Sequence, residues 1–148
     1  MPSRGLIGFR AEFLTLTSGS GLLYHTFDKY GPIIQGLQTG RRNGALISIG
    51  QGKVLPYALF NLQDRGKMIV ETGIDVYEGM IIGIHSRNND LVVNPLKGKQ
   101  LTNVRASGTD EAVTLTTPIN VTLEFALEFI NNDELVEVTP ASIRLRKK

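Results

Sequence analysis

The chain has no cysteine, no tryptophan and only two histidines, His25 and His85, in its 148 residues. The first absence excludes a disulfide framework, a thiol nucleophile and any zinc site built on thiolates. The histidines lie far apart in sequence and offer little to a metal. No apolar run approaches the roughly 18 residues a membrane-spanning helix needs. Arg10 and Glu12 break the first apolar cluster, which is therefore no signal-peptide core. A soluble, cytoplasmic protein with no membrane partner is the expectation.

Enzyme signatures are missing as well. No Gly-x-Ser-x-Gly elbow surrounds any serine. Gly50-Gln51-Gly52-Lys53 suggests a phosphate loop only at first sight, because Ile47 stands where the first glycine belongs and Val54 where magnesium needs a hydroxyl. A turn between strands is the better reading. No catalytic residue, cofactor or metal site is expected in this chain.

What is present is a chain that is 41% hydrophobic and long enough for one core-forming domain. A second domain could only be small. The net charge of +2 does not demand a polyanionic partner, but it is unevenly spread. Between positions 85 and 108, Arg87, Lys97, Lys99 and Arg105 stand against Asp90 alone. Positions 121–138 hold Glu124, Glu128, Asp133, Glu134 and Glu137 with no basic residue, and Arg144, Arg146, Lys147 and Lys148 close the chain.

Periodicity sketches the elements. Leu6, Phe9, Phe13 and Leu16 recur at helical steps, residues 18–21 make a turn, and Leu23, His25 and Phe27 alternate as a strand would. Asn43-Gly44 reads as a hairpin turn before the apolar run 45–49. Leu55, Ala58, Leu59 and Leu62 predict a helix, with Pro56 in its first turn and Gly66 as a left-handed cap. Strands are expected at 68–70, 74–77 and 80–85, with Glu78-Gly79 turning between the last two. Leu123, Ala126, Leu127 and Ile130 predict a further helix with Thr122 as N-cap, followed by strands at 134–138 and 142–146. The fold class is α+β and β-rich, a small curved sheet or barrel-like domain with two or three short helices.

Residues 94–108 read as a long polar, basic loop, a feature that in a compact domain is commonly functional. Lys97, Lys99 and Arg105 suit phosphates, while Gln100 and Asn103 offer donors to sugars and base edges. No aromatic residue lies among them, so backbone and shape recognition is expected rather than base stacking. Arg41 and Arg42 form a second basic patch that would either touch phosphate or simply solubilise. The basic C-terminal tail would bind RNA or fray.

The motifs 2–10 and 22–30 resemble the closing helix and strand of the fifth domain of elongation factor G. With 43–48, 58–63, 76–87, 97–110 and 134–146 added, the chain resembles the C-terminal region of the ribosome-associated translational GTPases of the TypA/BipA family. The resemblance implies residues 1–34 as the remnant of a ferredoxin-like domain and 35–148 as the family's C-terminal domain. It also implies a role in translation or large-subunit assembly under stress. GTP and magnesium are implied only for a G domain absent from this chain. The implied partners are large-subunit ribosomal RNA and the acceptor end of tRNA, and the RNA-binding set is Arg41, Arg42, Arg87, Lys97, Lys99, Gln100, Asn103 and Arg105. The alternative is a protein-interaction module built on the acidic stretch. Phe9, Phe13, Leu23 and Phe27 are expected to pack on the C-terminal domain or on a second copy in a homodimer or swapped arrangement.

Overall fold

A computed structural model describes residues 2–6, 9–32, 41, 43–98 and 114–148. A 3-10 turn at Ser3–Leu6 leads into helix α1, Phe9–Leu16. The body of the protein then contains β1 (Ala45–Ser48), β2 (Gly52–Lys53), α2 (Pro56–Leu62), β3 (Gly66–Met68), β4 (Asp75–Val76), β5 (Met80–His85), β6 (Leu91–Val93), α3 (Leu123–Phe129), β7 (Glu134–Val138) and β8 (Ile143–Lys147). The fold is α+β and β-rich, as expected, but the sheet stays open and no barrel closes.

The main sheet runs β6-β1-β5-β8-β7, with β3 also on β5. One edge of β5 pairs antiparallel with β1, while its other edge is shared, Ile81 facing Leu145 of β8 and Gly83 facing Met68 of β3. β6 lies parallel to β1 although it follows β5 in the chain, so the 86–90 connection must cross the start of β1. That crossing fixes two residues. A side chain at Gly44 would drive its Cβ into the Asn89 carbonyl, and the Ala45 amide donates to Asp90 Oδ1 at 2.7 Å.

Both faces of the sheet are covered. Leu46, Met80 and Ile82 face a cluster with Leu59 and Leu62 of α2, while Ala45, Ile47, Ile81 and Leu145 face Ala126 and Phe129 of α3. Every residue of β1 is buried, which is why its sequence is continuously apolar instead of alternating. Emptying such a site, as Leu46→Ala would, costs about 2–5 kcal/mol.

Several expectations are met in detail. Thr122 Oγ1 accepts from the Phe125 amide at 3.2 Å as the N-cap of α3, Pro56 opens α2, and Gly79 turns at φ +82° between β4 and β5. Three are corrected. Asn43-Gly44 is not a primed type I′ turn, since Gly44 does not have the positive φ that turn requires; Gly44 is needed for the close passage of Asn89. Gly66 is not a helix cap but the first residue of β3, where a Cβ would strike the Ile84 carbonyl. Residues 23–27 form no strand, because a strand needs a neighbour to bond and none is present among the described residues.

The ring–ring contacts of that first segment are local among the described residues. Phe9 and Phe13 rings lie 5.9 Å apart and Phe27 and Tyr30 rings 5.2 Å apart, while Leu23 and Phe27 are exposed. Packing of Leu23 and Phe27 on the body of the same chain is therefore not what forms. No helix among the described residues is long and apolar enough to cross a membrane.

Candidate nucleic-acid interface

The structure separates the expected RNA-binding residues into groups with different environments. Arg42, Lys99, Gln100, Asn103 and Arg105 lie outside the described residues. Arg41, Arg87 and Lys97 are described, and Arg41 behaves unlike the other two.

Arg41 is buried. Its guanidinium grips both carboxylate oxygens of Glu134 at 2.5 and 2.6 Å, reaches Asp90 at 3.3 Å, and donates to the carbonyls of Asn43 at 2.7 Å and Phe129 at 3.1 Å. A guanidinium has five N–H donors, and all five are spent. Its carbon also sits 4.1 Å from the centre of the Phe129 ring. Lys147 completes the cluster, its ammonium reaching Asp90 at 2.5 Å, Asp133 at 2.8 Å and Glu134 at 2.9 Å. In this arrangement the Arg41 donors are taken by protein acceptors, and the residue joins the chain before β1 to α3, β7 and Asp90.

The titration of this cluster follows from its geometry. Burial alone would raise the Asp90 and Glu134 carboxyls, but bonds from Lys147 and the Ala45 amide to the first, and from Arg41 and the Asn131 amide to the second, hold both below the usual carboxylate range. The Lys147 bond lowers Asp133 as well. For Lys147, burial works against the charge, and the three carboxylates overcome it to push the ammonium above its ordinary value.

The same pairing uses up most of the acidic and basic residues at the C-terminus. Tyr77 donates to Glu137 at 2.5 Å, Arg146 Nε lies 2.8 Å from the same carboxylate, and Lys148 donates to the Asn132 carbonyl at 2.5 Å. Burial, reinforced by Glu137, pushes the Tyr77 hydroxyl up to about 12. The closing basic residues form a paired strand instead of a fraying tail. The acidic stretch is not one face either, since only Glu124 and Glu128 remain outside these pairs.

Arg87 and Lys97 are exposed, and the fold adds a third exposed cation, Arg65, that periodicity gave no reason to select. β3 pairs with β5 so that Gly66 faces His85, and the Ser86 amide donates to the Arg65 carbonyl at 2.9 Å. This sets Arg65 beside the segment that carries Arg87. A polar hollow of about 430 Å³ holds both arginines together with His85 and Asp64. It continues, through shared walls at Asn61, Arg65 and Leu91, into a groove of about 410 Å³ between α2 and the outer edge of β6 that ends at Lys97. Among the described residues none of the three cations forms an ion pair.

Lys97 stands on an anchored stem. Pro95 is fully buried and its carbonyl accepts from Leu55 at 3.0 Å, Asn94 Oδ1 accepts from the Leu96 amide at 2.9 Å, and Leu96 packs over Gly52. Beyond the undescribed residues, Gln63 at the end of α2 donates to the Thr114 carbonyl at 3.2 Å and accepts from the Thr116 amide at 3.1 Å. The last described residues before position 99 thus lie near one end of α2, and the first after position 113 near the other.

Residues 43–148 match the TypA/BipA C-terminal domain. The chain belongs to the TypA/BipA family. Over its whole length it is 66% identical to the large ribosomal subunit assembly factor BipA of Escherichia coli, and 63% identical to the protein of that name from Haemophilus influenzae. The Buchnera aphidicola protein of the same name is 62% identical over 99% of the chain. In each case the chain spans 24% of the relative's length. The family assignment made from the motifs therefore stands, and the matched region begins immediately before β1.

Proposed function

We propose that this chain is the ribosome-docking, RNA-contacting portion of a large-subunit assembly factor, without catalysis of its own. The observation that carries this reading is the set of exposed cations Arg65, Arg87 and Lys97 along one continuous hollow, none of them ion-paired among the described residues, leading to the anchored stem at Pro95. Lys99, Gln100, Asn103 and Arg105 extend the basic segment in sequence beyond Lys97 and supply further contacts to ribosomal RNA and to the acceptor end of tRNA. The relatives are named for large-subunit assembly, which agrees with a domain that binds ribosomal RNA in the cytoplasm. GTP hydrolysis and the response to stress belong, on this reading, to the longer protein of which such a domain is part.

Co-sedimentation with large ribosomal subunits tests it. Wild type should pellet at low salt and be released steeply between 50 and 200 mM, as phosphate contacts dictate. A Lys97→Ala/Lys99→Ala/Arg105→Ala variant should pellet weakly, and equal pelleting would refute the loop's role. A protein-contact reading draws support from α3, where Leu123 and Leu127 are exposed beside Glu124 and Glu128. It predicts capture that hardly responds to salt.

A further inference from the structure

We infer that the hollow between Arg65 and Arg87 is a phosphate-binding pocket for an RNA strand, separate from the 97–105 segment and built into the rigid body of the domain. The inference rests on the RNA-binding reading above and adds a second point of attachment. Arg65 directly precedes β3 and Arg87 follows β5 by two residues, so the pairing of Gly66 with His85 brings their backbone stems to one hollow. His85, 5% exposed, lines the same hollow and is held by its Nδ1 donating to the Asn89 carbonyl at 2.6 Å. A floor held in this way is formed before any ligand arrives.

Two features favour a phosphodiester over an acidic peptide. The walls are polar throughout apart from Leu91, with Asn61, Ser86 and Asn89 as donors suited to phosphate and sugar oxygens. Peptide docking relies instead on aromatic or aliphatic anchors in apolar pockets, and this hollow offers none. The adjoining groove along β6 lets the same strand pass on to Lys97. Asp64 is the single acidic wall, and its position disfavours a ligand that fills the hollow with uniform negative charge.

The test measures binding of the full chain to protein-free large-subunit RNA as a function of salt. An Arg65→Ala/Arg87→Ala variant should bind about tenfold or more weakly, with the salt slope reduced by about one for each phosphate lost. Arg65→Lys/Arg87→Lys should keep the slope and recover part of the affinity, because it restores charge without the planar fork. A Lys99→Ala/Arg105→Ala variant is measured alongside. If that variant loses binding while the pocket variant matches wild type, the pocket is wrong and the RNA-binding reading survives. If wild type fails to bind RNA, both fall. Unchanged RNA binding with lost capture of proteins stripped from the subunit would overturn the pocket in favour of an acidic peptide. Both arginines are exposed, so the thermal midpoint should not move.

Discussion

Arg41 and Arg87 both stand within two residues of an asparagine at a bend in the chain, and the fold puts them to opposite uses. The Arg41 guanidinium is enclosed by Glu134, Asp90 and two carbonyls, with every donor spent. Arg87 is exposed on a polar hollow with Arg65 and no carboxylate paired to it among the described residues. A cation whose partners are supplied by its own chain holds the fold together. One left without them has its binding capacity available to another molecule. Counting basic residues along the sequence merges these two cases.

Breaking the enclosed side of this contrast should give the largest effect. Arg41→Ala leaves Glu134 buried without its main partner and should cost about 3–5 kcal/mol, read as a shift of the denaturant midpoint. Lys147→Ala removes three charged hydrogen bonds from a less buried position and should cost about 1.5–3 kcal/mol. If either proved neutral, the network would be incidental to folding.

Acid should separate the two regions without mutation. Asp90, Asp133 and Glu134 have folded values below their ordinary ones. Their contribution is therefore fully present above the usual carboxylate range and is lost as pH falls through the depressed folded values. Stability should decline through that window, and Glu134→Gln should flatten the decline. In alkali the sign reverses. Unfolded tyrosine ionises near 10 while Tyr77 in the fold holds its proton to about 12, so stability drops as pH rises between these values and Tyr77→Phe should remove part of the drop.

The smallest effect on stability belongs to the exposed side. Arg65→Ala/Arg87→Ala should change it by no more than about 0.5 kcal/mol while weakening RNA binding. A large loss of stability there would erase the distinction between the two regions.

Legibility in the sequence followed the range of the interactions. The α3 cap at Thr122, the proline at the start of α2, the turn at Gly79 and strands β5, β7 and β8 depend on neighbours a few residues away, and periodicity or turn chemistry finds them. Turn chemistry marks Gly44 and Gly66, but turn chemistry is not why they must be glycine. Their need for glycine comes from the carbonyls of Asn89 and Ile84, brought close by a strand crossing and a strand pairing. Alternation over 23–27 records which face would be buried and says nothing about whether a neighbour exists, so no strand forms there. Arg65 carried no local signal at all, since only the pairing of β3 with β5 brings it to Arg87.

The sequence alone determined the family, the α+β class and the absence of cysteine chemistry or a phosphate loop, because those depend on residue identity and short spacing. The tertiary structure decided which charges are paired and which are free. Arg41 meets Glu134 across 93 positions of chain, a distance that no local pattern spans.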